Sequence, residues 1–381
     1  MNEKKVLLKI YPYLNLGDDL FLKIILQRYK DVQFYLVADK RYVLFKEVFP
    51  NLNILPNRSS VFQRILFRLG GQLSQNIQRK VYNLVLNSIY GKVIKEVDAT
   101  VCIGGSMFIQ PTSDILDKNL LFYKFVIENN GAKPTYFLGC NFGPYHTRAY
   151  KETFKEIFSK STDLCFRDKK SFLLFDSLHN VRWNPDIVFG MEANKSEKIR
   201  GSVGFVLVDP SQKINGFSDQ QGYIKKCAEI ISYHIGKKSK VFLFSFCQKE
   251  GDEDIIEKIL SRVNDEIIND ITIIKYRGDI EEFLASYSRV ELMYCGRFHA
   301  MILSMLYNQS IIPISYSSKM DNTLSDIDFK GPVFKIERFL QTPIDELLGV
   351  SDENLYDISE HCEKSKKHFE KLDRFLKNVT K

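Results

Sequence analysis

The stretch Val290-Glu291-Leu292-Met293-Tyr294-Cys295-Gly296-Arg297-Phe298-His299-Ala300-Met301-Ile302-Leu303-Ser304-Met305-Leu306 decides the fold class. Its first six residues, apolar except for Glu291, are short enough for one buried strand. Gly296 supplies a turn, and residues 300–306 carry the small and apolar side chains of a buried helix. A strand that turns tightly into a helix is half of a βαβ unit.

The same rhythm recurs on both sides of it. Residues 5–11 read as a strand, followed by a Pro/Asn/Gly loop and a helix from about 18 to 29. Strands are predicted at 33–38, at 99–103 before Gly104-Gly105, at 135–138 before Gly139, and at 163–166 before Arg167, with a helical run over 171–178. Residues 191–201 are polar and charged and read as a linker. After them the alternation restarts: strands at 203–208, 241–245, 272–276, 290–295 and 311–315, helices at 223–233 and 252–263, and a helix or helix pair over 351–381. The expectation is an α/β protein of two doubly wound, Rossmann-like domains, at 1–190 and 202–350, with a C-terminal helical segment at 351–381. Ligands of such sheets bind outside the carboxyl ends of the strands, here across a cleft shared by the two domains.

Composition agrees. The chain has 381 residues, 44% hydrophobic and 27% charged, ordinary globular usage that suggests two domains. The 29 Phe and 19 Tyr supply bulky core filling. The seven cysteines, at 102, 140, 165, 227, 247, 295 and 362, form no CxxC pair and read as reduced thiols of a cytoplasmic protein. The apolar run at 6–8 is broken by Lys9 and is too short for a signal peptide. Residues 300–318 have membrane length but include Ser304, Asn308, Gln309, Ser310 and Pro313, which fits a buried helix, a turn and a strand, and no transmembrane span.

The net charge of +7 is local. Residues 51–95 hold Arg58, Arg64, Arg68, Arg79, Lys80, Lys92 and Lys95, and no acid. Interleaved apolar residues make two basic amphipathic helices plausible, suited to an acidic polymer or to peripheral contact with an anionic membrane at the inner face of the cell membrane. Ordinary helices with a solvated face and a core side are the plainer reading. No stacking platform or nucleic-acid motif accompanies the cations, so nucleic acid is not an expected partner.

Candidate functional residues fall just after strands. In an extended stretch Arg297 and His299 point the same way, at a helix N-terminus that favours an anion. A guanidinium forks onto carboxylate or phosphate oxygens, and a histidine transfers protons. A structural reading stands beside this: the histidine caps its helix and the arginine pairs with an acid. Arg167-Asp168 likewise ends a strand, with Asp168 also readable as a plain helix cap. In Asn15-Leu16-Gly17-Asp18, Asp18 is a natural N-cap or a carboxylate that deprotonates a sugar hydroxyl. Gly104-Gly105-Ser106 lets backbone approach a ligand or is merely a tight turn, and Asn141 offers a polar contact. Asp252-Glu253-Asp254 reads as a helix start. GxGxxG, Walker A and GxSxG patterns are absent, as is metal-ligand spacing.

Taken together, Asn15 to Asp18, Gly104-Gly105, Gly139 to Pro144, Arg167-Asp168 with Ser171, Asn184-Pro185-Asp186, Ser286 to Ser288, Arg297-Phe298-His299, Pro313 and Tyr316-Ser317-Ser318-Lys319 resemble the polysaccharide pyruvyl transferase family in order and spacing. Ser106 stands where the family often has a third glycine, and Asn184 where it usually has aspartate. The resemblance implies a fold of the glycosyltransferase B type. It also implies transfer of pyruvate from phosphoenolpyruvate to a sugar of a cell-surface polysaccharide or its lipid-linked precursor, usually as a cyclic ketal, with no metal or redox cofactor. On this reading Arg297 and Arg167 clamp the donor, Lys319 adds a charge, His299 is the acid–base and Asp18 serves the acceptor; Asn15, Gly17, Gly104, Gly105, Ser106 and Asn141 line substrate. The alternatives are a nucleotide-sugar glycosyltransferase of the same fold and a non-catalytic glycan-binding protein.

Overall fold

The computed structural model describes residues 3–56, 74–111, 116–194, 196–348 and 356–377. It divides into two compact units. The first is Met1–Pro12, Phe21–Ile187 and Lys364–Lys381, and the second is Tyr13–Leu20 and Val188–Glu363.

The first unit is built on seven parallel strands: β1 Lys5–Lys9, β2 Gln33–Ala38, β3 Leu52–Pro56, β4 Ala99–Ile103, β5 Thr135–Cys140, β6 Asp163–Phe166 and β7 Val181–Trp183. Their order is β3-β2-β1-β4-β5-β6-β7. Every residue of β4, β5 and β6 is buried, which is why these strands, Asp163 and the threonines aside, are apolar rather than alternating. On one face the core is largely aromatic. Phe108 lies 5.0 Å from Phe158, 5.1 Å from Phe154 and 5.3 Å from Tyr123, in tilted and edge-on contacts that suit ring quadrupoles.

One difference from the sequence reading concerns residues 51–95. Residues 52–56 form the edge strand β3, because pairing with β2 at Phe34–Leu52 through Ala38–Pro56 recruits a stretch with little intrinsic signal. The first of the two expected basic helices falls on 57–73, outside the described residues. The second is the helix Gln75–Glu96; Val85, Leu86, Tyr90, Val93 and Ile94 enter the core, while Arg79, Lys80, Lys92 and Lys95 are exposed. Helix ends follow local chemistry: Asp168 caps the helix Lys169–Leu173, its carboxylate accepting from the backbone N–H and hydroxyl of Ser171 at 2.8 Å each. That helix is shorter than the run expected over 171–178.

The chain's end belongs to this unit. After the helix Ser359–Ser365 come a 3-10 turn, Lys366–Phe369, and the helix Glu370–Leu376. Asp373 accepts from Arg28 Nε at 3.0 Å and from the Tyr29 hydroxyl at 2.9 Å.

The second unit carries six parallel strands: β8 Ser202–Val206, β9 Lys240–Ser245, β10 Ile271–Lys275, β11 Leu292–Cys295, β12 Ser310–Ser315 and β13 Phe334–Lys335. Their order, β10-β9-β8-β11-β12-β13, is the doubly wound one. Both sheets therefore reverse direction beside their first strand, between β1 and β4 and between β8 and β11. In the second sheet Tyr294 stacks on Phe205 with ring centroids 4.5 Å apart, and His234 Nε2 lies 3.0 Å from the Tyr294 hydroxyl. Residues 298–306 are a helix and 310–315 a buried strand, and among the described residues no helix is long and apolar enough to cross a membrane.

Candidate active site

Two clusters lie at carboxyl ends of strands, one in each unit. In the second, Gly296 follows β11 at the reversal point. Its N–H donates to the Val206 carbonyl at 2.7 Å, and a Cβ at 296 would stand 2.7 Å from that same oxygen. Only glycine allows this approach. The chain then places Arg297 in extended conformation and enters the helix Phe298–Leu306 at once.

This early helix start corrects the expected alternation. Arg297 and His299 do not continue a strand: Arg297 pairs with Asp252 and Glu250, and His299, already helical, lies against Gly17 in the first turn of the helix Leu16–Arg28. The Arg297 guanidinium is buried. Its Nε donates to both Asp252 oxygens, at 3.1 and 2.9 Å, Nη1 donates to Glu250 Oε2 at 2.9 Å, and Nη2 donates to Asp252 Oδ1. Burial alone lowers its pKa, but the two carboxylates more than reverse this, so it stays charged. Glu250 also accepts from Lys213 Nζ at 2.7 Å. Burial raises the Glu250 pKa, yet Arg297 and Lys213 bring it down to about 2. Asp252 accepts the backbone N–H groups of Phe246 and Cys247 at 2.8 and 3.0 Å. Two cations and two anions make a closed, neutral set.

Asn15 links this set to His299. Its Nδ2 donates to Glu250 Oε1 at 2.9 Å and its Oδ1 accepts from Gly17 N at 3.1 Å. Asn15 is thus the residue that caps the helix Leu16–Arg28; Asp18, expected there, sits half-buried in the first turn. The His299 ring lies against Gly17: a Cβ at 17 would stand 1.9 Å from Nδ1. Beside these, Asp19 is buried and accepts from the Tyr276 hydroxyl at 2.9 Å. Lys319 opens the helix Ser318–Asp326 after β12, with Nζ 5.8 Å from the centre of the Phe298 ring.

The first unit gathers Gly104, Gly105, Ser106, Asn141 and Arg167 at the ends of β4, β5 and β6. Arg167 is buried; Nη1 donates to Asp186 Oδ2 at 2.9 Å and Nη2 to Asn141 Oδ1 at 2.6 Å. A Cβ on Gly105 would lie 2.5 Å from both terminal nitrogens, so the guanidinium rests directly on that glycine. The Asn141 N–H donates to the Gly105 carbonyl at 2.9 Å, and Ser106 Oγ lies 3.5 Å from Asn141 Oδ1. Gly104 has φ of 148°.

Sequence reasoning missed Glu250, Asp252, Lys213 and Asp19 as members of a site, and named Asp186 only within a motif. Asp252 had been read as a helix-start residue, and it does open the helix Asp252–Leu260. Its partner is 45 residues away, so only the fold reveals the pair. The one available signal was position: Glu250 and Asp252 closely follow the end of β9.

No curated protein sequence matches the chain. Several solved structures share its fold at low identity. HepE from Anabaena, determined with UDP and glucose, superposes with a TM-score of 0.58 at 10% identity, covering 99% of this chain and 100% of that one. MnaA from S. aureus, determined with UDP, gives 0.63 at 10% identity over 99% and 98%. UDP-GlcNAc 2-epimerase from Neisseria meningitidis, bound to UDP-GlcNAc, gives 0.56 at 11% identity over 97% and 98%. These likenesses establish two Rossmann-like units of the glycosyltransferase B type. At the level of sequence, the family described as Polysaccharide pyruvyl transferase matches residues 15–318, a span that runs from the Asn15 cap to the start of the Lys319 helix. The chain belongs to the polysaccharide pyruvyl transferase family.

Proposed function

We propose that the protein transfers pyruvate from phosphoenolpyruvate to a sugar of a cell-surface polysaccharide or its lipid-linked precursor, forming a cyclic ketal. Besides family membership, one observation carries this reading. Two helices, Phe298–Leu306 and Ser318–Asp326, begin just beyond the carboxyl ends of the paired strands β11 and β12, and bring His299 and Lys319 with them. Helix starts with such side chains suit a small, multiply charged anion.

In the reaction, a sugar hydroxyl gives its proton to Asp18 and its oxygen bonds to C2 of phosphoenolpyruvate, while C3 takes a proton from His299 and becomes methyl. The C2–O bond to phosphate then breaks, and phosphate leaves with the electron pair. A second hydroxyl closes the ring at C2 and gives up its proton. His299 is the proposed proton carrier, and Asp18 the proposed partner of the attacking hydroxyl. Arg297 has three of its five N–H groups committed to Asp252 and Glu250, so its first task is to hold Glu250, which accepts from Asn15 at the start of the helix whose Gly17 lies against His299; its remaining donors serve the donor anion. Arg167, which the resemblance sets on the donor, is held by Asp186 and Asn141 in the first unit, so the Arg167 cluster, with Asn141, Ser106, Gly104 and Gly105, is proposed as the acceptor site instead. The reaction so written consumes no metal or redox cofactor. A lipid-linked acceptor would bring the protein to the inner face of the cell membrane. Arg79, Lys80, Lys92 and Lys95, exposed on the helix Gln75–Glu96 beside exposed Ile77 and Leu84, support peripheral contact with anionic lipid there. Co-sedimentation with anionic and neutral vesicles tests it; equal binding to both removes the membrane contact.

A second reading, a nucleotide-sugar enzyme, is favoured by the UDP found in the structural neighbours. Thermal unfolding separates the two. Phosphoenolpyruvate at 100 times its dissociation constant adds about 2.7 kcal/mol of stability. The expected result is a rise in Tm with phosphoenolpyruvate that is lost in Lys319→Ala and His299→Ala. A rise with UDP-glucose or UDP-GlcNAc alone would overturn the pyruvyl reading.

A further inference from the structure

The tail of the chain meets the first unit beside the Arg167 cluster. Arg182, in β7, donates from Nη1 to the Lys367 carbonyl and from Nη2 to the His368 carbonyl, both at 2.6 Å. Asp163 backs the same guanidinium, accepting from Nε at 2.9 Å and Nη2 at 2.7 Å, and pairs with Lys371 at 3.2 Å. The backbone at His368 is therefore held by a buried ion pair. Its imidazole is fully buried and points at the turn Asn184-Pro185-Asp186: Nε2 lies 2.8 Å from the Pro185 carbonyl and 3.2 Å from that of Asn184. Both partners are acceptors, so Nε2 carries the proton and donates.

The residue after Pro185 is Asp186, whose carboxylate holds Arg167 Nη1. Proline fixes its own φ, and the peptide group that follows is planar. Holding the Pro185 oxygen therefore fixes the plane of the Pro185–Asp186 peptide, and with it the direction in which the Asp186 side chain leaves the backbone. We propose that His368, in the chain's last thirty residues, is a positioning residue for Arg167, acting through the Pro185 carbonyl and the Asp186 carboxylate. This rests on the reading of Arg167 as a substrate-binding residue. It makes the C-terminal tail part of the acceptor site without touching substrate.

The test needs a readout at Arg167 itself. Phenylglyoxal modifies accessible guanidinium groups, and peptide mapping gives the rate at each arginine. Three variants are compared with the parent protein. His368→Gln places an amide N–H where Nε2 was; His368→Asn places one only where Nδ1 was; His368→Ala removes both. Losing one hydrogen bond's worth of restraint shifts the held-to-released balance about tenfold. Arg167 labelling is therefore expected to rise about tenfold in His368→Asn and His368→Ala, and to stay near the parent rate in His368→Gln. Arg297, in the other unit, is the control and should not change. In the transfer assay the same two variants should raise KM for the acceptor and leave KM for phosphoenolpyruvate in place. If His368→Ala does not fold, the Gln and Asn pair still decides the question. Unchanged Arg167 labelling, an equal rise at Arg297, or Gln behaving like Asn overturns the proposal. If the parent protein transfers nothing from phosphoenolpyruvate, the functional reading fails, while labelling still decides the role of His368.

Discussion

Gly17→Ala separates the geometry of His299 from the stability of the fold. Gly17 has ordinary helical geometry in the first turn of Leu16–Arg28, so alanine brings no backbone strain and gains helix propensity of about 1 kcal/mol. The new methyl would stand 1.9 Å from His299 Nδ1, 2.8 Å from Cε1 and 2.8 Å from Cγ. Ordinary van der Waals contact begins at 3.4 Å, so the ring must retreat by roughly 1.5 Å. Overpacking costs about 1–3 kcal/mol, which the propensity gain offsets in part. Net stability should therefore fall by no more than about 2 kcal/mol. Catalysis should suffer far more, since misplacing a reacting group by about 1 Å costs about a hundredfold. The assay is steady-state pyruvyl transfer on Gly17→Ala, His299→Ala and the double variant. Because both changes disable one group, the double variant should be no slower than His299→Ala alone. A Gly17→Ala protein with full kcat, or losses that multiply in the double variant, would refute the placement of His299 as the working group.

Other expectations follow from the same contacts. Gly105→Ala puts a methyl 2.5 Å from both terminal nitrogens of Arg167; it should dislodge the guanidinium from Asp186 and Asn141 and raise KM for the acceptor more than for the donor. Asp252→Asn leaves the buried Arg297 short of a charge and turns an NH2 toward backbone donors or toward the guanidinium; unfolding by urea should show a loss of about 3–5 kcal/mol. Acid should weaken the fold through His234 and His368, both held near 4 by burial, with Arg182 adding to the effect at His368. In the unfolded chain each takes up its proton near 6.5, so the unfolded state binds more protons between 6.5 and 4, and stability falls across that window and levels off below it. Each contributes up to about 3 kcal/mol. Glu250 extends the loss: its stabilisation is present above 4.5 and fades as the pH falls toward 2. A Tm that holds constant from pH 6.5 to 4.5 would contradict this, and His234→Gln with His368→Gln should flatten the curve.

Much of this fold is written locally. Residues 33–38, 99–103 and 163–166 are strands to the residue, because each is a short, mostly apolar run; 99–103 and 163–166 are buried on both faces, and 33–38 mostly so. β3 was illegible: Asn53 and Pro56 give no strand signal, and the edge position next to β2 makes the strand. The site divides in the same way. Gly17, Gly105, Arg167, Arg297 and His299 stand out because each sits at the end of a strand or the start of a helix. Glu250, Asp252, Asp186 and His368 do not, since what each does depends on a partner 19 to 184 residues away. The caps show how close two readings lie: Asp18 and Asn15 are both good capping residues, and the choice between them is made by where Glu250 holds Asn15.

The return of residues 364–381 to the first unit also bears on how the protein is made. On the ribosome, everything up to Ile187 is synthesised before the main part of the second unit, Val188–Glu363, is begun. The Asp163–Arg182 pair, with Asp163 fully buried and Arg182 about four-fifths so, meets Lys367, His368 and Lys371 only after the tail has been made. At about 5–20 residues per second, the intervening chain takes roughly 10–35 s to emerge. Throughout that interval the nascent first unit presents an open ion pair and the bare flank of Tyr29 and Tyr136, which Phe369 and Phe375 later cover. A ribosome stalled within the second unit would thus hold a half-finished protein with an adhesive seam, the kind of surface that holdase chaperones grip.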